Sequence, residues 1–377
     1  MLILLIISIF LNFLVLKLDI IPYITNVFQK RKLRKRKVVF DRAVFEKKVY
    51  NASIETIKGT KVKMQWTDTD GFSNNIVNIY LNKYNNNFRK YNYPRALLMY
   101  GLLKYSISKK NDTGISVVRD AFDKLLDAKG NPKFNLDKVD QAIFGVVAVD
   151  LYTVLNNKKY LNFASIIYSY LEENYLRNNN VILYRPNIRF WFNDVLGQTI
   201  PFLVSYYTIA GEKRILDIAK SQMNAFIKHG IDNHTFLPSH GFNLDTYTKI
   251  GSINWGRGIG WYLLALNALH KLDGSYMKEY NGLIYTLNKL KLNNIWTQFP
   301  GSDINFDAST TTMMLYCFPE ELVDVNIVLE TLNNFTSKDG FILQTSGDTK
   351  GFNNYSRSFG KSEISQGMLM AYLSRIK

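Results

Sequence analysis

Apolar side chains recur at spacings of three and four along most of the chain, the repeat of an amphipathic helix. In 158–174 they fall at Tyr160, Leu161, Phe163, Ala164, Ile167, Tyr170 and Leu171. In 212–230 they fall at Ile215, Leu216, Ile218, Ala219, Met223, Phe226 and Ile227, with Gly230 as a stop signal. The same spacing predicts helices near 94–108, 114–127, 139–156, 194–210, 255–272, 275–290, 307–317, 320–335 and 363–376, with weaker stripes at 43–58 and 75–88. The alternation expected of strands is scarce, and Asn/Gly-rich stretches such as NNNV and TSGDTKGFNN separate the helices. About a dozen helices without a fixed-period repeat predict an all-α domain of paired helices. Periodicity leaves open whether the pairs close into a toroid or stack as a solenoid.

The N-terminus follows a different pattern. Residues 1–16 carry no charge, Lys17 and Asp19 follow, and a second apolar stretch leads into QKRKLRKRK at 29–37, which has seven basic residues and no acidic one. A helical span needs about 20 mainly apolar residues, and Lys17 can snorkel to an interface. A cleaved signal peptide would carry its positive charge before the apolar run and a small-residue site after it; here the charge comes after. The pattern predicts a single-pass membrane anchor over 1–28, a basic juxtamembrane linker over 29–42 and a helical body over 43–377. The positive-inside rule places that body on the cytoplasmic side. The plainer alternative is a helix lying on anionic lipid, held by the basic run. No nucleic-acid-binding motif accompanies the run, so nucleic acid is not an expected partner.

Composition narrows the chemistry. Apolar residues make up 47% and charged residues 21%, which excludes a disordered chain. One cysteine, Cys317, excludes an internal disulfide framework, and four histidines leave little room for a zinc centre. The net charge is +16, but residues 1–37 hold eight Lys/Arg against one Asp, so nearly half the excess lies in that segment.

Four segments break the helical pattern. GSINWGRGIGW at 251–261 puts glycines, Trp255, Trp261 and Arg257 just before an apolar helix. Glycine permits close approach of a ligand, tryptophan faces stack on sugars, and Arg257 offers a fork for a carboxylate. Its plainer reading is a helix start packed with aromatics. FWFNDVLGQTIPF at 190–202 sets Asp194 after Trp191 and two phenylalanines, where an ordinary N-cap is the plainer reading. SHGFN at 239–243 carries His240 in a loop, where histidines are usually only exposed. LDKVDQAIFG at 136–145 sets Asp137 and Asp140 on one helical face, as a solvated helix start also would.

The order and spacing of these segments are more specific than any one of them. Asp194 stands seven residues before Pro201 in DVLGQTIPFL. His240-Gly241-Phe242 follows, and then WGRGIGW supplies Trp255, Arg257, Gly260 and Trp261 in a W-x-R-x-x-G-W frame. Upstream, Asp140 stands five before Gly145 and twelve before Tyr152, a frame that Asp137 fits less well. FDASTTTMMLY at 306–316 and SQGMLMAYL at 365–373 complete the pattern. Over roughly 90–377 the chain resembles the unsaturated glycuronyl hydrolases of glycoside hydrolase families 88 and 105.

That resemblance implies an (α/α)6 barrel, in agreement with the dozen helices, and no metal or organic cofactor. It implies action on oligo- or polysaccharides that end in a 4,5-unsaturated uronic acid, by hydration of the vinyl ether. The roles it implies are Asp194 as general acid and base, Asp140 as its tuning partner, and His240, Arg257 and Arg185 as polar contacts to substrate. Trp255, Trp261 and Trp191 would be aromatic sugar platforms. The sequence departs from the family pattern at Ile259, Asn243, Asp307 and Tyr184-Arg185. Those departures keep a second reading open, a glycan-binding or scaffold protein on the same barrel.

Overall fold

Six helices of the body bury most of their circumference: Tyr93–Ser108, Ile143–Leu155, Asp194–Ala210, Gly256–Asp273, Ala308–Cys317 and Glu363–Leu373. Each packs on the next in chain order, and the last packs on the first. The computed structural model describes residues 1–34, 39–59, 90–177, 180–303, 305–349 and 351–376; the helix expected near 75–88 lies outside them. Six more helices surround the ring: Arg42–Lys58, Asp112–Asp123, Lys158–Tyr175, Lys213–Gly230, Met277–Lys289 and Val325–Asn334. Their burial is a single stripe. In Lys213–Gly230, for example, Ile215, Ile218, Ala219, Gln222, Met223 and Phe226 face inward. Helices that are apolar all round go inside, and striped helices cover them. Contact between last and first inner helices makes this a six-hairpin toroid and not a solenoid.

The closing seam is tight because it is built on glycine. A Cβ at Gly101 would lie 1.7 Å from the Gly367 carbonyl oxygen, so only a residue without a side chain lets these backbones approach. Beside it the Gln366 amide donates to the Val49 carbonyl at 3.1 Å and to the Gly340 carbonyl at 3.2 Å, tying the seam to the first outer helix.

The two ends of the barrel differ. Inner helices hand over to outer ones through tight turns at 109–111, 156–157, 211–212 and 274–276; we call this end the rear. Outer helix starts there are capped by Asn111, whose side chain accepts from the Gly114 N–H, and by Asn157, which accepts from Lys159. Such caps contribute about 1 kcal/mol each. Outer helices return to inner ones through long loops at the opposite end, the mouth. These loops carry the strands: β1 (Phe190–Phe192), β2 (Gly241–Asn243) and β3 (Lys249–Ile250) form one antiparallel sheet, and β4 (Thr345–Ser346) pairs with β5 (Phe359–Gly360). Strands of two or three residues are too short to show alternation in the sequence. Two predicted helices are interrupted: 139–156 opens with a 3-10 turn, Val139–Ala142, and 320–335 splits at a 3-10 turn, Glu320–Leu322.

At the N-terminus, helices Leu2–Val15 and Ile21–Arg34 run on through a π-helical turn, Leu16–Ile20. Leu2–Thr25, 24 residues, is long and apolar enough to cross a membrane, and the body buries none of it.

Candidate active site

All six inner helices begin at the mouth, so their partial positive ends converge there. The pocket at this end has a volume of about 320 Å³ and is lined by Tyr93, Tyr184, Arg185, Ile188, Phe192, Asp194, Gln198, His240, Trp255, Arg257, Asp348, Thr349 and Gly351.

Asp194 is the first residue of its helix, and Asn193 occupies the N-cap. Its side chain is therefore free of capping duty and points to His240, with Oδ2 3.5 Å from Nε2. The sheet fixes that approach. Trp191 pairs with Phe242 across β1 and β2, and the Asn193 N–H donates to the His240 carbonyl at 2.9 Å. His240 is no exposed loop histidine: it is 1% exposed, and Trp255 lies against its ring at 4.4 Å between centroids. Its Nδ1 lies 3.2 Å from the Phe352 carbonyl, which can only accept. An Nδ1–H would donate to that carbonyl, and the Tyr355 hydroxyl lies 3.5 Å from the same nitrogen.

Asp140 sits beneath on the 3-10 turn, 1% exposed, with no hydrogen-bond partner for either carboxyl oxygen among the described residues. Burial pushes its pKa up to about 7, and the Asp348 and Asp137 carboxylates add to the rise while Lys138 opposes it. Asp137 stays at the surface against Lys138 at 3.2 Å. Burial of Tyr184 raises its pKa, and the Asp140 and Asp194 charges both add to that.

Arg257 departs from the expected role. It is 2% exposed, and both of its terminal nitrogens are engaged by protein. One donates to the Ser346 carbonyl at 2.8 Å; the other donates to the Gly347 carbonyl at 2.8 Å and faces Asp348 at 3.3 Å. A guanidinium spent this way holds the 345–348 segment and does not offer a free fork to substrate. The Tyr93 hydroxyl donates to the same Asp348 oxygen at 2.7 Å. Burial raises the Asp348 pKa, while Arg257 and Tyr93 pull it back.

The three tryptophans separate. Trp255 lines the pocket, but Trp191 and Trp261 are core: Trp191 packs edge-on against Phe226 and Phe242, and Trp261 meets the edge of Tyr93. Neither presents a face to a sugar, because each fills the layer behind the pocket. The glycines of WGRGIGW serve packing and not ligand approach. A Cβ at Gly256 would meet Thr310 at 2.4 Å, and one at Gly260 would meet Met313 at 2.9 Å. Arg185 stands exposed at the lip, its guanidinium 5.8 Å from the Tyr184 ring centre. The departing residues also have structural work. Asn243 accepts from the Asp245 and Thr246 N–H groups to build its turn, Asp307 caps the helix Ala308–Cys317, and Ile259 is core.

Sequence reasoning missed Asp348, Tyr93 and Gln198. Gln198 lies one turn after Asp194 on the same helical face, a signal that was available. Asp348 lies in TSGDTKGFNN, a stretch with no periodicity to read.

A second cavity, about 180 Å³, lies on the axis towards the rear, lined in part by Tyr100, Lys104, Asp150, Asn267, Lys271 and Tyr316. Lys104 and Asp150 pair there at 2.8 Å.

The family model for Glycosyl Hydrolase Family 88 matches residues 70–318, about two thirds of the chain. The chain belongs to glycosyl hydrolase family 88. It is therefore a glycoside hydrolase by family, and the solved structures it is similar to share its fold. A family 105 glycoside hydrolase from C. acetobutylicum ATCC 824 superposes with a TM-score of 0.64 at 18% identity, covering 75% of this chain and 93% of that one. A possible family 105 member from Klebsiella pneumoniae subsp. pneumoniae MGH 78578 gives 0.70 at 14% identity, covering 90% and 94%. A family 88 glycosyl hydrolase from Bacteroides vulgatus gives 0.57 at 14% identity, covering 80% and 96%.

Proposed function

We propose that this family 88 hydrolase hydrates a 4,5-unsaturated uronyl residue at the non-reducing end of an oligo- or polysaccharide. The observation that carries this reading is a pocket-facing carboxyl, Asp194, beside His240 at 3.5 Å, together with a buried one, Asp140, whose pKa burial pushes up to about 7. In this reading Asp194 is the general acid, because it lines the pocket while Asp140 lies below it.

Asp194 delivers its proton to C4 as the C4–C5 double bond gives up its electron pair, leaving positive charge shared by C5 and the ring oxygen. Water adds at C5 and returns a proton to Asp194. The C5 hemiketal opens to a ketone, which leaves C1 as a hemiacetal that expels the rest of the glycan. One water is consumed and the acid is regenerated. No nucleophile attacks the anomeric carbon, so the carboxylate-separation rule for ordinary glycosidases does not apply. Asp140 tunes the proton and positions the water. His240 stands beside Asp194 and contacts the sugar, Trp255 forms the apolar wall, and Arg257 fixes Asp348. The substrate carboxylate is drawn by the converging helix N-termini and by Arg185 at the lip.

The test is loss of the ultraviolet absorbance of unsaturated uronyl disaccharides, with Asp194→Asn alongside. Turnover by the parent and not by the variant supports the reading. Unchanged absorbance with glycan binding retained replaces it with the glycan-binding reading.

Leu2–Thr25 is read as a membrane anchor with the body on the cytoplasmic side, supported by its length, its exposure and the basic residues that follow. Protease treatment of right-side-out membrane vesicles checks the side: a digested body places it outside.

A further inference from the structure

The cavity towards the rear takes no part in the reaction above, yet all six inner helices contribute to its wall. These helices start at the mouth, so lining residues early in each lie deep and later ones lie near the rear opening. Leu97, Ile143 and Gly197 come from the first turns of their helices, whereas Lys104, Asp150 and Lys271 come from the last turns. The cavity is therefore graded, with an apolar floor and a charged rim. Small-molecule sites have this composition: apolar walls with a few convergent polar groups.

Two of those polar groups are uncommitted. Asn267 is 5% exposed, lines the cavity, and has no hydrogen-bond partner for its side-chain amide among the described residues. A buried amide left this way is costly, and a ligand or water that meets it recovers the cost. Lys271 follows one turn later on the same helical face and lines the same cavity. It forms no ion pair among the described residues, unlike the other cations at this rim. Lys104 is paired with Asp150, and Arg375 donates to the Tyr316 carbonyl and faces Glu320 at 4.0 Å. Burial lowers the Lys271 pKa and Arg375 adds to that, whereas an anion beside the ammonium would oppose both. The helix ends at Asp273, where its dipole favours a cation. Lys271 is that cation, so the guest has Lys271 to complement and not the helix end.

We propose that the rear cavity binds a small organic anion, with an apolar body on the floor and a carboxylate between the Asn267 amide and the Lys271 ammonium. A cavity of about 150 Å³ walled by apolar side chains takes benzene, so one of about 180 Å³ with a polar rim suits a ring of that size bearing one carboxylate. The site is separate from the sugar pocket and does not depend on the hydration reading. Water is the competing occupant.

The test is calorimetric titration of the full chain in detergent with benzoate, benzyl alcohol and benzylamine, which share a ring and differ in charge. Thermal midpoints are measured on the same samples. Benzoate should bind at least tenfold more tightly than either of the others and raise the midpoint. Lys271→Met and Asn267→Leu should each weaken benzoate at least fivefold. Lys271 stands at the opening, so its variant should keep the parent's midpoint in the absence of ligand. Arg185→Ala at the mouth should leave benzoate affinity within twofold of the parent. Benzoate binding that survives Lys271→Met, or that is lost with Arg185→Ala instead, overturns the site. Benzyl alcohol or benzylamine binding as tightly as benzoate overturns the anion assignment. No heat and no rise in midpoint at millimolar benzoate leaves the cavity to water and overturns the proposal.

Discussion

At the mouth, a pocket of about 320 Å³ gathers Asp194, Asp348, His240 and Arg257 over the buried Asp140; towards the rear, a cavity of about 180 Å³ gathers Lys104, Asp150, Lys271 and two tyrosines. Both lie on the barrel axis, and both mix charge with apolar walls. They differ in how their charges are settled. At the rear, one oxygen of Asp150 is held by Lys104 at 2.8 Å while burial still raises its pKa, and the lysines lie in the half where the inner helices end, which favours cations. At the mouth, Asp140 has no hydrogen-bond partner among the described residues, and Asp194 shares a 3.5 Å contact with a histidine already committed elsewhere. A settled ion pair stabilises a fold; an unsettled carboxyl is poised to exchange a proton. Charge alone does not tell the two ends apart, whereas the lysine that faces Asp150 and has no counterpart at Asp140 does.

The largest effect that would sharpen this contrast is at Asp194. Asp194→Asn should lower kcat/KM by at least about 1,000-fold with little change in thermal midpoint, since removal of a general acid costs this order. Retained turnover on the unsaturated disaccharides would move the acid to Asp140.

Arg257→Lys comes next. It removes one arm of the fork that holds the Ser346 and Gly347 carbonyls and leaves Asp348 with the Tyr93 hydroxyl. Turnover should fall at least tenfold, with a loss of about 1.5–3 kcal/mol in unfolding free energy by denaturant titration, the range for a lost hydrogen bond from a charged group. An unchanged midpoint would mean that the 345–348 segment does not depend on Arg257.

Asp140 should split stability from activity. Its folded-state pKa is raised, to about 7 from 3.8. The folded protein therefore keeps a proton that the unfolded chain releases, and stability is lost as pH rises from about 4 to about 7. Asp140→Asn should flatten that slope, raise the midpoint at pH 7.5 by a few degrees, and still cut turnover. A melting profile across this pH range that matches the parent would contradict the buried, raised carboxyl.

The smallest effect is expected at the rear. Lys104→Met leaves Asp150 without its partner and should lower stability by about 1–3 kcal/mol. Initial rates should leave kcat/KM within about twofold of the parent. A large loss of turnover would mean that the two ends are coupled.

Much of this architecture could be read in the sequence for a physical reason. Helices such as 158–174 and 212–230 lie between ring and solvent, so burial wrote a stripe into them. Inner helices such as Glu363–Leu373, buried on every side, carry a vaguer pattern, and their order around the ring came from resemblance and not from periodicity. Asp194, His240 and Trp255 were legible because they stand at fixed distances in one stretch of chain. Asp348 was not, because it reaches the pocket from a loop some 150 residues beyond Asp194 and is held there by Arg257 and Tyr93. Trp191 and Trp261 were misplaced because a tryptophan beside a pocket and one behind it have the same spacing in sequence. Only packing separates them.

The seam where Gln366 meets Val49 joins residues 317 positions apart. During synthesis the first inner helix therefore lacks its partner across the seam until residues 363–373 have emerged. Its apolar flank, Leu97, Leu98 and Met99 among others, must be tolerated in the open for that interval. Ending the chain just before Glu363 should therefore do more than fray one helix: it removes the final stave, and the remaining five hairpins should lose their cooperativity in unfolding and aggregate through the exposed flank.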